Sequence, residues 1–226
     1  MDLAIKATGV KRSFPIRGGQ PFWALKGVDI DVPRGCLTIL KGKSGSGKTT
    51  LLNLLSMLDR PDEGQILFDG QDIAVFNEAE RTRIRRRSIG FVFQSVALIP
   101  MMNAYENVEF ALRLARSADD RRTRVTECLT MVGLHQRMNH MPHEMSGGEQ
   151  QRVAIARALA HRPSVVFADE PTAELDTDTG LRVVKIFKEL IAVQGTTVVM
   201  TTHDAGLMEL SDSTYELADG EILYGS

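Results

Sequence analysis

Gly42-Lys43-Ser44-Gly45-Ser46-Gly47-Lys48-Thr49 is the stretch that decides the fold. It satisfies G-x-x-x-x-G-K-[ST], follows an apolar strand-like run from Leu37 to Leu40, and leads into a helical pattern starting near Lys48. Glycines let the backbone turn with positive φ and come close to a phosphate without a Cβ in the way. Successive N–H groups then converge on an anion, helped by the positive end of the helix. Lys48 is placed to reach β- and γ-phosphates, and the Thr49 hydroxyl to ligate magnesium. The whole loop, Gly42 through Thr49 with Thr50 after it, is expected to hold ATP and Mg²⁺.

A second constellation lies downstream. The buried-strand run Val165-Val166-Phe167-Ala168 leads directly into Asp169-Glu170. Carboxylates at the carboxyl end of such a strand sit where open α/β sheets bind ligands. Asp169 is expected to hold the metal and Glu170 to polarise the attacking water. A third, Met145-Ser146-Gly147-Gly148-Glu149-Gln150-Gln151-Arg152, opens a helix of strong formers. Ser146, Gly147 and Gly148 form a second helix-N-terminal anion site. One nucleotide does not need two such sites on one chain. Two copies packed head-to-tail would use both, each copy's Ser146 facing the other's Lys48.

Working outward, the first forty residues alternate apolar stretches with turn signals at Gly18-Gly19, Gly27 and Pro33-Arg34-Gly35, which predicts antiparallel strands. Strands are predicted at 65–68, 89–93 and 197–201, and helices at 78–87, 149–161 and 181–192. Residues 96–145 change to helical patterns broken at Pro100, Gly133 and Pro142. Apolar strands alternating with helices imply an α/β fold whose parallel sheet is covered on both faces. The domain expectation is one unit, 1–226, with a core of 1–93 and 162–226 and a helical insertion at 94–161.

The 226 residues, 43% hydrophobic and 25% charged, suit one sizeable globular domain. A net charge of −2 argues against a chain whose main work is gripping nucleic acid. The basic run Arg81, Arg83, Arg85, Arg86, Arg87 lacks interleaved aromatics and reads as a solvated helix face. Cys36 and Cys128 read as buried apolar residues in a reducing compartment. His140 and His143, flanking Pro142, read as surface histidines. No window approaches the roughly 18–20 apolar residues of a membrane span, and the N-terminus lacks a signal-peptide layout. The expected location is cytoplasmic.

Taken together, these motifs resemble the ATP-binding-cassette ATPases over essentially the whole chain, in particular the lipoprotein-releasing (LolD-like) and macrolide-exporter (MacB-like) types, judged by residues 146–159 and 168–172. The resemblance implies the P-loop ATPase fold of that family and an ABC transporter's motor subunit, ATP-hydrolysing and peripheral on the inner face of the membrane. It implies that Phe14 stacks on adenine, that Gln94 senses magnesium and the membrane partner, that Glu174-Leu175-Asp176 crosses the dimer interface, and that His203 contacts the γ-phosphate. Met145 stands where leucine is commoner, and Ala173-Glu174 where many relatives have Gly-Asn, which puts a negative charge near that interface. The permease is expected to dock near Gln94 and residues 95–107, where Val96, Leu98, Ile99, Met101, Met102 and Tyr105 are too apolar for a free loop. A signalling or cell-division ATPase that moves a membrane partner without transport, or a soluble ATPase of the same superfamily, stays open as an alternative.

Overall fold

The computed structural model describes residues 2–118, 120–173 and 175–225. The chain opens with a long antiparallel hairpin, β1 (Leu3–Phe14) and β2 (Phe22–Pro33), followed by β3 (Leu37–Lys41) and helix α1 (Lys48–Leu55). Next come β4 (Glu63–Phe68), β5 (Gln71–Asp72), α2 (Glu78–Ser88) and β6 (Ile89–Val92). Three helices follow, α3 (Ala104–Ala115), α4 (Arg121–Met131) and α5 (Gly147–Leu159). The remainder is β7 (Val165–Ala168), α6 (Thr177–Gln194), β8 (Thr197–Thr202), a short α7 (Ala205–Met208), β9 (Ser213–Ala218) and β10 (Glu221–Gly225).

Two sheets result. The smaller runs β2-β1-β4-β5 and is antiparallel; the larger runs β10-β9-β3-β8-β7-β6 and is parallel from β9 to β6. Because side chains alternate along a strand, each central strand feeds two cores. Val165, Phe167 and Val199 join α1's Leu51, Leu52, Leu54 and Leu55 beneath the antiparallel sheet. Val166, Ala168, Val198 and Met200 join helices α3 to α6 on the opposite face. Burial on both faces explains why these strands read as unbroken apolar runs.

Several expectations need revision. Gly27 is not a turn: it lies inside β2 at φ 109, the extra residue where pairing shifts from Val10↔Val28 to Lys11↔Lys26, hence a β-bulge. The basic run is not uniformly solvated. Arg81 is buried and Arg85 half-buried, and their guanidinium groups donate to the Met57 carbonyl at 2.9 and 2.7 Å. Met57 follows α1 with φ 61, so these arginines satisfy a carbonyl that the helix end leaves open. Cys128 is buried, but Cys36 is only half-buried. Leu98 and Tyr105 pack on the helical core, whereas Met101 is 89% exposed. Glu174 lies outside the described residues.

Candidate nucleotide site

Parallel pairing decides where the chemistry gathers. β3, β8, β7 and β6 lie side by side in one direction, with Lys41 opposite Thr202, Met200 opposite Ala168 and Ala168 opposite Val92. Their carboxyl ends therefore release the glycine-rich loop, His203, Asp169-Glu170 and Gln94 at one edge. A cavity of about 540 Å³ opens there, lined among others by Gly42, Lys48, Thr49, Gln94, Glu170 and His203. Ser44, Gly45, Gly47 and Thr50 line it too.

The loop's glycines are needed where expected. Gly42, Gly45 and Gly47 have φ 151, 81 and 106, and a Cβ on Gly47 would fall 2.7 Å from the Ala24 carbonyl oxygen. Gly47 is also the N-cap of α1 and offers no side-chain acceptor, so the first turn's N–H groups lack a capping side chain. Lys43 and Ser46 do not line the cavity: the Lys43 carbonyl accepts from Lys48 Nζ at 3.2 Å, and Ser46 is buried beneath the loop.

Lys48 is 6% exposed, and its ammonium donates to the Gly42 carbonyl at 2.8 Å. It lies 3.5 Å from Glu170 Oε1, while His203 Nδ1 lies 3.4 Å from Glu170 Oε2. Glu170 adopts φ 43, a region non-glycine residues seldom occupy. Beside it Asp169 is buried, and its Oδ2 accepts from the Thr49 hydroxyl at 2.8 Å. A hydroxyl and a carboxylate oxygen at that spacing, with the Gln94 amide in the same cavity, are the hard oxygen donors Mg²⁺ prefers.

At the cavity's far end stand two aromatics. Phe14 ends β1 and pairs across the hairpin with Phe22, whose ring sequence reasoning missed. The Arg12 guanidinium covers one face of Phe14, 5.0 Å from the ring centroid, and is itself held by Asp59 and Asp62 at 2.9 and 2.7 Å. Phe22 was invisible because its significance comes from the register of β1 on β2, not from a motif.

Ser146, Gly147 and Gly148 are elsewhere: none lines this cavity. Ser146 caps α5, its hydroxyl accepting from Glu149 N–H at 3.3 Å, while the Glu149 carboxylate accepts from Ser146 N–H at 2.9 Å. That N–H, then the charges of Arg137 and Arg152, hold the Glu149 carboxyl below its ordinary range. The capping box explains Ser146 and Glu149 locally. It does not explain Gly147, whose φ is not positive and whose added Cβ would meet nothing within 4 Å among the described residues.

Over residues 25–173 the sequence matches the family described as ABC transporter. The chain belongs to the ABC transporter family. Among its relatives is an uncharacterized ABC transporter ATP-binding protein of Methanocaldococcus jannaschii, MJ0796, 43% identical over 96% of this chain and 94% of that protein. The lipoprotein-releasing system ATP-binding protein LolD 1 of Rhodopirellula baltica is 41% identical over 95% and 93%. The macrolide export ATP-binding/permease protein MacB of Escherichia coli is 43% identical over the whole chain, which spans 35% of that longer protein. Among solved structures, a dimeric post-hydrolysis state of the ATP-binding cassette MJ0796 bound to ADP and Pi superposes with a TM-score of 0.92 at 40% identity, covering 98% of this chain and 97% of that one. The fold is thus that of an ATP-binding cassette.

Two further features of this ABC cassette lie outside the cavity. Gln151, buried on α5, donates from Nε2 to the Pro171 carbonyl at 3.2 Å and approaches the Phe93 carbonyl at 3.5 Å, tying α5 to the segments bearing Glu170 and Gln94. A groove of about 520 Å³ lies between β6 and α3, with Leu58, Phe93, Phe110 and Leu114 in its lining and Arg85 and Arg86 beside them. Leu58, Phe93 and Leu114 are among the exposed large hydrophobic residues. Among the described residues no helix is long and apolar enough to cross a membrane.

Proposed function

We propose that the chain binds Mg-ATP in the Lys48 cavity, hydrolyses it with Glu170 as general base, and passes the resulting motion to a separate membrane permease. The observation carrying this reading is the convergence of Lys48, Glu170 and His203 within 3.5 Å contacts at one sheet edge. Phe14, with Phe22 beside it, stacks on the adenine using the ring face that Arg12 leaves free. The loop N–H groups and Lys48 take the phosphates, Lys48 exchanging its carbonyl partners for β- and γ-oxygens. Thr49, Asp169 and Gln94 would hold Mg²⁺, which when bound neutralises charge on the phosphates. Glu170 accepts the proton of the attacking water, its carboxylate held between Lys48 and His203. His203, on the exposed side of Glu170, contacts the γ-phosphate.

The second anion site supports a head-to-tail dimer. Ser146's hydroxyl accepts from Glu149 N–H, which leaves its own proton free for a phosphate oxygen of the partner's nucleotide. Gly147 leaves room for that approach. ATP closes the dimer across Ser146, Gly147 and Gly148, and hydrolysis reopens it. Residues 94–161 would move as the helical part of a single domain. The groove beside Gln94 supports permease docking there, displaced from Met102 toward Phe93 and Leu114, and docking would hold the chain at the inner face of the membrane.

Glu170→Gln should leave ATP binding intact and lower turnover by about 10²–10⁴-fold, the usual share of a general base. Wild-type turnover in that variant would end the assignment. Leu58→Asp with Leu114→Asp should keep ATPase activity in the isolated subunit but lose the permease on co-purification, each apolar side chain contributing about 1.5–3 kcal/mol on burial. Undiminished co-purification would place docking elsewhere.

A further inference from the structure

Thr201 stands at the end of β8, fully buried, on the strand face shared with Val199 and covered by α1. Its hydroxyl donates to Asp169 Oδ1 at 2.7 Å and accepts from Glu170 N–H, also at 2.7 Å. A carboxylate can only accept and an amide can only donate, so the hydroxyl proton's direction is fixed. One oxygen atom therefore holds two consecutive acidic residues. It ties down the inner oxygen of Asp169 and leaves Oδ2 for Thr49. It also anchors the backbone of Glu170 in its φ 43 conformation, the one that sets the carboxylate between Lys48 and His203.

We propose that Thr201 is a positioning residue for ATP hydrolysis, aligning the metal-side carboxylate and the general base through a single hydroxyl. The three strand residues before it, Val198, Val199 and Met200, are apolar, and valine would fill the same volume. A threonine that only packed would not need both bonds. The proposal rests on the roles given above to Asp169 and Glu170.

The test uses the full chain and three variants, Thr201→Val, Thr201→Ser and Glu170→Gln. It reads ATPase kinetics, binding of a fluorescent ATP analogue with and without Mg²⁺, and far-ultraviolet circular dichroism. Thr201→Val should bind the analogue normally in EDTA, lose much of the Mg²⁺-dependent gain in affinity with KM for Mg-ATP rising to match, and lose kcat by about tenfold or more, the scale seen when groups supporting metal ligands are removed. Thr201→Ser keeps the hydroxyl and should restore both readouts. Wild-type Mg²⁺ response and kcat in the valine variant would overturn the proposal, as would failure of serine to rescue. If the valine variant does not fold, Thr201→Cys, with a weaker donor of similar size, takes its place and should lie between wild type and Glu170→Gln. Wild-type kcat in the cysteine variant would overturn the proposal equally. Full activity of Glu170→Gln would instead sink the base assignment, so the two failures are told apart.

Discussion

Helices α1 and α5 of this molecule both begin at glycines, and they begin differently. α1 starts after Gly47 with no capping side chain, a buried ammonium at its first residue, and Asp169 beside Thr49. α5 starts after Ser146 with a complete capping box, and the charge it carries is the Glu149 carboxylate. The first N-terminus opens into the cavity and carries the Lys48 ammonium. The second has a capping box on Ser146 and Glu149, carries the Glu149 carboxylate paired with Arg137 at 3.4 Å, and exposes a glycine whose added Cβ would meet nothing within 4 Å among the described residues. A helix N-terminus alone does not make a phosphate site; what faces it does. The α1 turn lines a cavity built by this chain, while in the proposed function the α5 turn is half a site that needs another surface.

This contrast makes unequal demands on mutations. The largest effect belongs to α1. Lys48→Ala removes the only ammonium lining the cavity among the described residues and should weaken ATP binding and turnover by on the order of 10²-fold or more, as loss of a preorganised charge donor does. Isothermal titration with the non-hydrolysed analogue would measure it, and near-normal affinity would mean the open N-terminus suffices. At α5 the expectation splits in two. A Cβ at Gly147 would meet nothing within 4 Å among the described residues, so Gly147→Val should barely move the monomer's unfolding midpoint and its ATP affinity. ATP-dependent association should be lost, because the new side chain fills space meant for a partner. A strongly destabilised monomer would show that Gly147 serves the chain itself, and the contrast would collapse.

The same contrast explains what the sequence could disclose. The glycine-rich loop, Asp169-Glu170 and Ser146-Gly147-Gly148 are local signals, since turn, cap and strand end each require particular residue types. β7 was legible to its last residue because both its faces are buried and its apolar run is unbroken. Elements whose meaning comes from pairing were hidden. β9 and β10 alternate weakly and left no clear pattern. Gly27 looked like a turn because bulges and turns both use positive φ. Phe22, Thr201 and Gln151 matter through the strands and helices that bring them beside Phe14, Asp169 and Pro171. Arg81 was misread for the same reason: its partner carbonyl is 24 residues away along the chain.

The central claim, that two chains complete the nucleotide site, is tested most directly by mass in solution. Glu170→Gln should retain ATP and shift with Mg-ATP from 25.0 kDa to twice that mass in light scattering. Adding Ser146→Arg puts bulk at the α5 N-terminus but leaves the Lys48 cavity intact, and the double variant should bind ATP and stay at 25.0 kDa. An ATP-dependent dimer that persists in the double variant would contradict the head-to-tail account.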